Sequence, residues 1–222
     1  MNNRYMLLTL VCTTVACSDF HTPAELSKPQ IIALRVEPAT ITPGSRAKLT
    51  ALVAGPDGIM PAEVSWSVTS PANAANATID VDDEGTWIAP ALDAIPASIE
   101  VDARVVVAGD VLLGVRSVRI ARDVTDNPRV ATLRVNGDDL PEGQPLVLQR
   151  SEPVELTIST APHMEDGARV SWYATVGEIT LYRRVPTEFV APDQPATGWL
   201  IVVYRDGVGG VAWRSHPLQI QP

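Results

Sequence analysis

The sequence predicts an all-β protein built of two tandem two-sheet sandwiches, and three observations carry the prediction. The 222 residues include 19 Pro and 14 Gly, with abundant Val, Thr and Ile, a mixture that favours many short strands cut by turns. Ala47, Leu49, Ala51 and Val53 fall on one face against Arg46, Lys48 and Thr50, and Val101, Ala103, Val105 and Val107 against Glu100, Asp102 and Arg104. That is the period of a strand with one buried face. The third observation is an internal repeat at a period of about a hundred residues, the mark of tandem copies of one domain.

The repeat opens with Ile31-Ile32-Ala33-Leu34-Arg35-Val36, answered by Val130-Ala131-Thr132-Leu133-Arg134-Val135. Ala47-Lys48-Leu49-Thr50 matches Val154-Glu155-Leu156-Thr157, and Val64-Ser65-Trp66 matches Val170-Ser171-Trp172. Trp87-Ile88-Ala89-Pro90 then matches Phe189-Val190-Ala191-Pro192, and each half closes with two strands around a short turn, Ala108-Gly109-Asp110 and Arg205-Asp206-Gly207. Turn signals separate the strands at Pro43-Gly44, Gly55-Pro56-Asp57-Gly58 and Asp83-Glu84-Gly85. About seven short strands in roughly ninety residues is the pattern of a two-sheet sandwich. The organisation read from this is a signal peptide at 1–16, a tether at 17–30, a first sandwich at 31–122, a linker at 123–128 and a second sandwich at 129–222. The linker is polar, short and ends in Pro128, so it is expected to join the sandwiches end to end.

The N-terminus reads as an export signal. Arg4 gives a positive start, Met6 to Val11 is apolar, and Thr13 to Ala16 is small and ends in Ala, a stretch too short to span a bilayer. Thr14-Val15-Ala16-Cys17 resembles a bacterial lipobox, with Thr14 where Leu is usual. The resemblance implies cleavage between Ala16 and Cys17 and diacylglycerol on the Cys17 thiol. An ordinary signal peptidase accepts Thr14-x-Ala16 and cuts the same bond, leaving Cys17 without lipid. Only Cys12 and Cys17 occur, so removal of the signal leaves Cys17 no disulfide partner. Two or three acyl chains on one Cys hold firmly where a single chain does not. The expected location is the cell envelope, at an outer membrane or cell surface, with Cys17 as the membrane anchor.

Both copies resemble bacterial immunoglobulin-like domains, which show Val-Ser-Trp on a central strand and then Gly-x-Tyr-x-Ala-Pro. The first copy has Val64-Ser65-Trp66 and Gly85-Thr86-Trp87-Ile88-Ala89-Pro90, with Trp87 at the usual Tyr position. The second has Val170-Ser171-Trp172 and Phe189-Val190-Ala191-Pro192, with Glu188 and its neighbours in place of the Gly. The resemblance implies the immunoglobulin-like fold and leaves function open. Trp66 and Trp172 are expected to fill the space between sheets that a disulfide fills in antibody domains, with Trp87 and Phe189 in the same cores.

Several function classes lose support. The net charge is −9 and the sequence pI about 4.8, with no cluster of Lys or Arg of the kind that neutralises phosphates, so nucleic acid is not expected as a partner. Asp80, Asp82 and Glu84 before Gly85 imitate the start of a calcium loop, but its twelfth position is Ala91 rather than Glu, and a solvated turn is expected instead. His21, His163 and His216 have no zinc spacing, and no Gly-x-Ser-x-Gly marks a nucleophile; no metal or cofactor is expected. Trp199, Tyr204 and Trp213 near the end could form an exposed strip for sugar rings or a partner surface. The function expected is a non-catalytic, lipid-anchored spacer or interaction module whose partner is an envelope protein or glycan. The alternatives are a surface adhesin or carbohydrate-recognition module and, with less support, a small exported hydrolase.

Overall fold

The computed structural model describes residues 24–69, 81–90 and 97–222. The first half contains β1 (Gln30–Glu37), β2 (Thr40–Ile41), β3 (Arg46–Gly55), β4 (Gly58–Ile59), β5 (Glu63–Thr69), β6 (Thr86–Ile88), β7 (Ala97–Val107) and β8 (Asp110–Ile120). The second contains β9 (Arg129–Val135), β10 (Asp138–Leu140), β11 (Leu146–Gln149), β12 (Pro153–Ala161), β13 (Arg169–Ala174), β14 (Glu178–Ile179), β15 (Thr187–Val190), β16 (Ala196–Arg205) and β17 (Val211–Gln221).

These strands make four sheets, two in each half. β3 carries β1 and β4 with β6 also paired to it, facing a sheet in the order β2-β8-β7-β5. In the second half the order is β10-β9-β12-β15-β14, facing β11-β17-β16-β13. The copies share a common set of pairings, to which β4 is added in the first and β10 and β14 in the second: β2 runs parallel to the closing strand β8 as β11 does to β17, and every other pairing is antiparallel. The chain is therefore all-β, two tandem immunoglobulin-like sandwiches.

Alternation places the cores. Val101, Ala103, Val105 and Val107 are all buried between the first pair of sheets. There Val36, Leu49, Trp87 and Ile99 form one cluster and Leu34, Val53, Ala103 and Val105 another. In the second sandwich Leu156, Trp172, Phe189, Leu200 and Val202 pack in a single cluster. A small residue faces each large ring across the ladder, Ala47 opposite Trp87 and Val154 opposite Phe189.

Trp172, Phe189 and Trp87 are 0%, 0% and 1% exposed, as core residues should be. Trp66 differs from its counterpart Trp172. It is only partly buried and lies against both clusters of the first core rather than inside one. Indole hydrogen bonding separates the buried pair: Trp172 Nε1 donates to the Arg184 carbonyl at 2.8 Å, whereas Trp87 Nε1 has no partner.

The segment 17–30, expected to be a tether, is packed against the second sandwich in its described part. Glu25 bridges Ala174 in parallel, Leu26 N–H donates to the Ala174 carbonyl at 3.1 Å, and Ala174 N–H to the Ala24 carbonyl at 3.0 Å. Ala24 and Leu26 are 2% and 1% exposed. The segment covers the free edge of β13 in the second sandwich by backbone pairing, with Ala24 packed in that sandwich's core and Leu26 in the cluster it shares with the first. Ala16 and Cys17 lie outside the described residues.

Candidate functional site

The sandwiches do not meet end to end as the linker suggested. They meet side to side, and the sequence of β16 shows why: Leu200-Ile201-Val202-Val203-Tyr204 is apolar without a break, and all five residues are buried. A strand that is apolar on both faces has both faces to cover. Leu200, Val202 and Tyr204 turn into their own core. Ile201 and Val203 turn outward and, with Val211, pack against Leu26, Ile32, Ala33, Leu52 and Ala54. Those eight side chains are 0–4% exposed, so a third apolar core runs along the seam.

Polar groups pin this seam at defined points. The Asn127 amide reaches both ways from the linker: Nδ2 donates to the Val36 carbonyl at 2.7 Å, and Oδ1 accepts from Val211 N–H at 2.9 Å. Arg116 of β8 donates to the Leu34 carbonyl at 2.8 Å and, across the seam, to the Gly209 carbonyl. Asp206 shapes the turn that presents Gly209, its Oδ1 accepting from the amides of Val208, Gly209 and Gly210. Burial first, then the neighbouring Arg205, lowers the Arg116 pKa, and Asp206 opposes them. The guanidinium stays charged, because its ordinary pKa lies far above neutrality. Arg35 places its guanidinium 4.4 Å from the ring centre of Trp213.

A bulge supplies a further link. The β1–β3 ladder passes from Ile31 to Ala33 and skips Ile32; at the repeat-equivalent place the β9–β12 ladder skips Ala131. A bulged residue leaves the ladder and frees its backbone groups. In the second sandwich the Ala131 carbonyl accepts from Arg214 of β17 at 3.0 Å. The position equivalent to Arg214 in the first sandwich is Gly114, opposite Ala103 as Arg214 is opposite Val202. The Ile32 carbonyl instead accepts from Arg205 of the second sandwich at 2.7 Å.

This seam decides the fate of the aromatic strip. Tyr204 is 2% exposed inside its own core, its hydroxyl paired with Thr160, and burial pushes the phenol pKa up. Trp199 and Trp213 lie on the opposite face of the sheet, partly buried and packed on the seam core. A Cβ on Gly58 of the first sandwich would collide with the Trp199 ring. The three aromatics thus share no exposed face. The signal in the sequence was the unbroken apolar run 200–204, which marks a strand covered twice.

The remaining candidates fall as follows. Asp82 Oδ1 accepts from Glu84 N–H at 3.0 Å and from Thr86 N–H at 2.7 Å, so the acidic run is built as a turn between strands; Asp80 and Ala91 lie outside the described residues, as does His21. His163 is exposed on the rim of a cleft of about 530 Å³ beside the linker, with Arg129, Glu165 and Asp206. His216 is 1% exposed, its Nδ1 2.9 Å from the Gln144 carbonyl and its Nε2 without a partner. A carbonyl only accepts, so Nδ1 carries a proton, and burial, the first cause of a lowered pKa, favours the neutral ring.

No protein-family model and no curated protein matches the chain. Among solved structures it is similar to Titin-A168169 (15% identity, 87% of this chain and 99% of that chain, TM-score 0.27). It is also similar to the N-terminal Ig1-2 module of the Drosophila receptor protein tyrosine phosphatase DLAR (14%, 87% and 99%, TM-score 0.32). A third is the set of fibronectin(III)-like modules of Clostridium thermocellum CbhA (17%, 87% and 93%, TM-score 0.31). The fold class rests on the four sheets rather than on these likenesses.

Proposed function

We propose that this chain is a non-catalytic, lipid-anchored cell-envelope protein whose two sandwiches act as one rigid spacer or protein-interaction platform. The observation that carries the platform reading is the buried seam, where side chains from both sandwiches and the linker meet, which supports a single relative orientation. A flexible pair of domains has no use for such a core, since domains in one chain move freely unless their interface is large and apolar. The anchor rests on Thr14-Val15-Ala16-Cys17 and on Cys17 being left without a disulfide partner once the signal is removed. The adhesin or carbohydrate-recognition alternative, which draws on the loops and aromatics of the second sandwich, has less support because Tyr204 is buried and Trp199 and Trp213 face the seam.

Metabolic labelling with a fatty-acid analogue tests the anchor: the wild type should take up label and Cys17→Ser should not, and an unlabelled wild type would sink it. Small-angle scattering tests the platform independently. One compact particle is expected, and a broad spread of interdomain distances would overturn it. A pull-down from envelope extract should return a protein, while a glycan as sole ligand would revive the alternative.

A further inference from the structure

The seam leaves part of one sheet face uncovered. β13 is an edge strand, and its residues alternate: Val170, Trp172 and Ala174 enter the core, while Arg169, Ser171 and Tyr173 face outward. Beside the seam, on which Tyr173 also packs, these line a cleft of about 580 Å³ together with Arg183 and Arg205. Three arginines and no carboxylate line it, in a protein of net charge −9.

The arrangement is costly without an anion. Arg169 stands directly opposite Arg205 in the β13–β16 ladder, a cross-strand position where like charges destabilise. Arg183 comes from the connection between β14 and β15, which is held to the same edge by the bond from Trp172 N–H to the Tyr182 carbonyl at 2.8 Å. Among the described residues none of the three forms an ion pair. Arg205 is already fixed in place by its bond to the Ile32 carbonyl, and its second terminal nitrogen lies 3.5 Å from Ser171 Oγ. Ser171 is 8% exposed, a buried hydroxyl on the floor beneath exposed guanidiniums.

We propose that this cleft binds a phosphoryl oxyanion. Guanidinium forks match the geometry of phosphate oxygens and hold them bidentately, and a floor hydroxyl adds a donor. The group has two sources, a free phosphorylated solute or a phospholipid headgroup. The second source rests on the anchor proposed above: six residues lie between Cys17 and Ala24, which docks on β13, so seven Cα steps hold Cys17 within about 25 Å of that segment.

The test uses residues 17–222 carrying Cys17→Ser, so that no acyl chain contributes and failure of the anchor does not affect the result. Inorganic phosphate is titrated calorimetrically, and vesicles of phosphatidylcholine alone or with phosphatidic acid are sedimented with the protein. The comparison is with Arg169→Gln/Arg183→Gln, two exposed positions, with a thermal melt to establish that the variant is folded. Phosphate binding weakened at least about tenfold in the variant supports the site with a soluble source. Capture by phosphatidic acid vesicles alone, lost in the variant, supports it with the headgroup as source. No binding to either probe, or binding unchanged in the folded variant, overturns it.

Discussion

Arg205 donates to the carbonyl of Ile32 at 2.7 Å, across 173 positions of sequence, at the residue that the β1–β3 ladder skips. The equivalent carbonyl in the second sandwich, that of Ala131, is met from within by Arg214. One bulge of the repeat thus serves two ends, closing a domain in one copy and joining domains in the other.

Arg205→Met keeps the stem and removes the donor, leaving a buried carbonyl unpaired, and should cost about 1.5–3 kcal/mol, the range for hydrogen bonds to charged groups. The loss falls on the seam, so chemical denaturation should change from one transition to two. Arg214→Met should lower stability without splitting the transition. A split of equal size in both variants would mean that Arg205 does not act at the seam.

Asn127→Ala should strip a partner from Val211 N–H and from the Val36 carbonyl at once. The expected loss is about 2 kcal/mol. Amide exchange at Val211 should quicken while exchange at Leu156, deep in the second core, stays slow.

The tryptophans should separate by burial and by hydrogen bonding. Trp172→Ala should cost about 3–5 kcal/mol, the usual range for emptying a core ring, and the partly buried Trp66→Ala about 1–3 kcal/mol. Trp87→Phe should be milder than Trp172→Phe, since it removes an N–H that has no partner while the other change strands the Arg184 carbonyl. Thermal melts of the four variants would rank them.

Gly58→Ala should loosen the seam. Its φ is +99°, a left-handed conformation that a side chain disfavours, and the added carbon runs into Trp199. Acrylamide should then quench emission more than in wild type, where Trp199 and Trp213 are both partly buried against the seam core.

His216 should make the protein acid-sensitive. Burial is the first cause of its lowered pKa, with Arg214 adding to it and the Gln144 carbonyl and Glu142 opposing. The folded state therefore binds the proton less readily than the unfolded chain, whose His titrates near pH 6.5. The neutral ring's contribution is complete above that pH and is lost as pH falls through it toward the lower folded value. Urea unfolding at pH 7 and pH 5 should show a fall that is smaller in His216→Gln.

The sandwiches were legible because strand period, turn residues and the repeat agree, from Val64-Ser65-Trp66 to Val170-Ser171-Trp172. The seam was harder to read, because alternation along β17 says that Trp213 and Leu218 face opposite ways but not whether anything covers the Trp213 side. Ala24 and Leu26 are two apolar residues in a polar stretch, too few to signal an edge contact. The charged cleft was invisible for a similar reason. Arg169, Arg183 and Arg205 are scattered singly along the chain, and only the β13–β16 register and the following loop bring them together.

The docking of Ala24 to Leu26 on Ala174 sets an order in time. Synthesis proceeds from the N-terminus, so the partner strand emerges only after some 150 further residues have been made. The first sandwich can close its own ladders well before then, while Leu26, Ile32 and Leu52 still face water. Completion of the second sandwich covers them and brings the leading segment to its place, so the earliest part of the described chain is among the last to be secured.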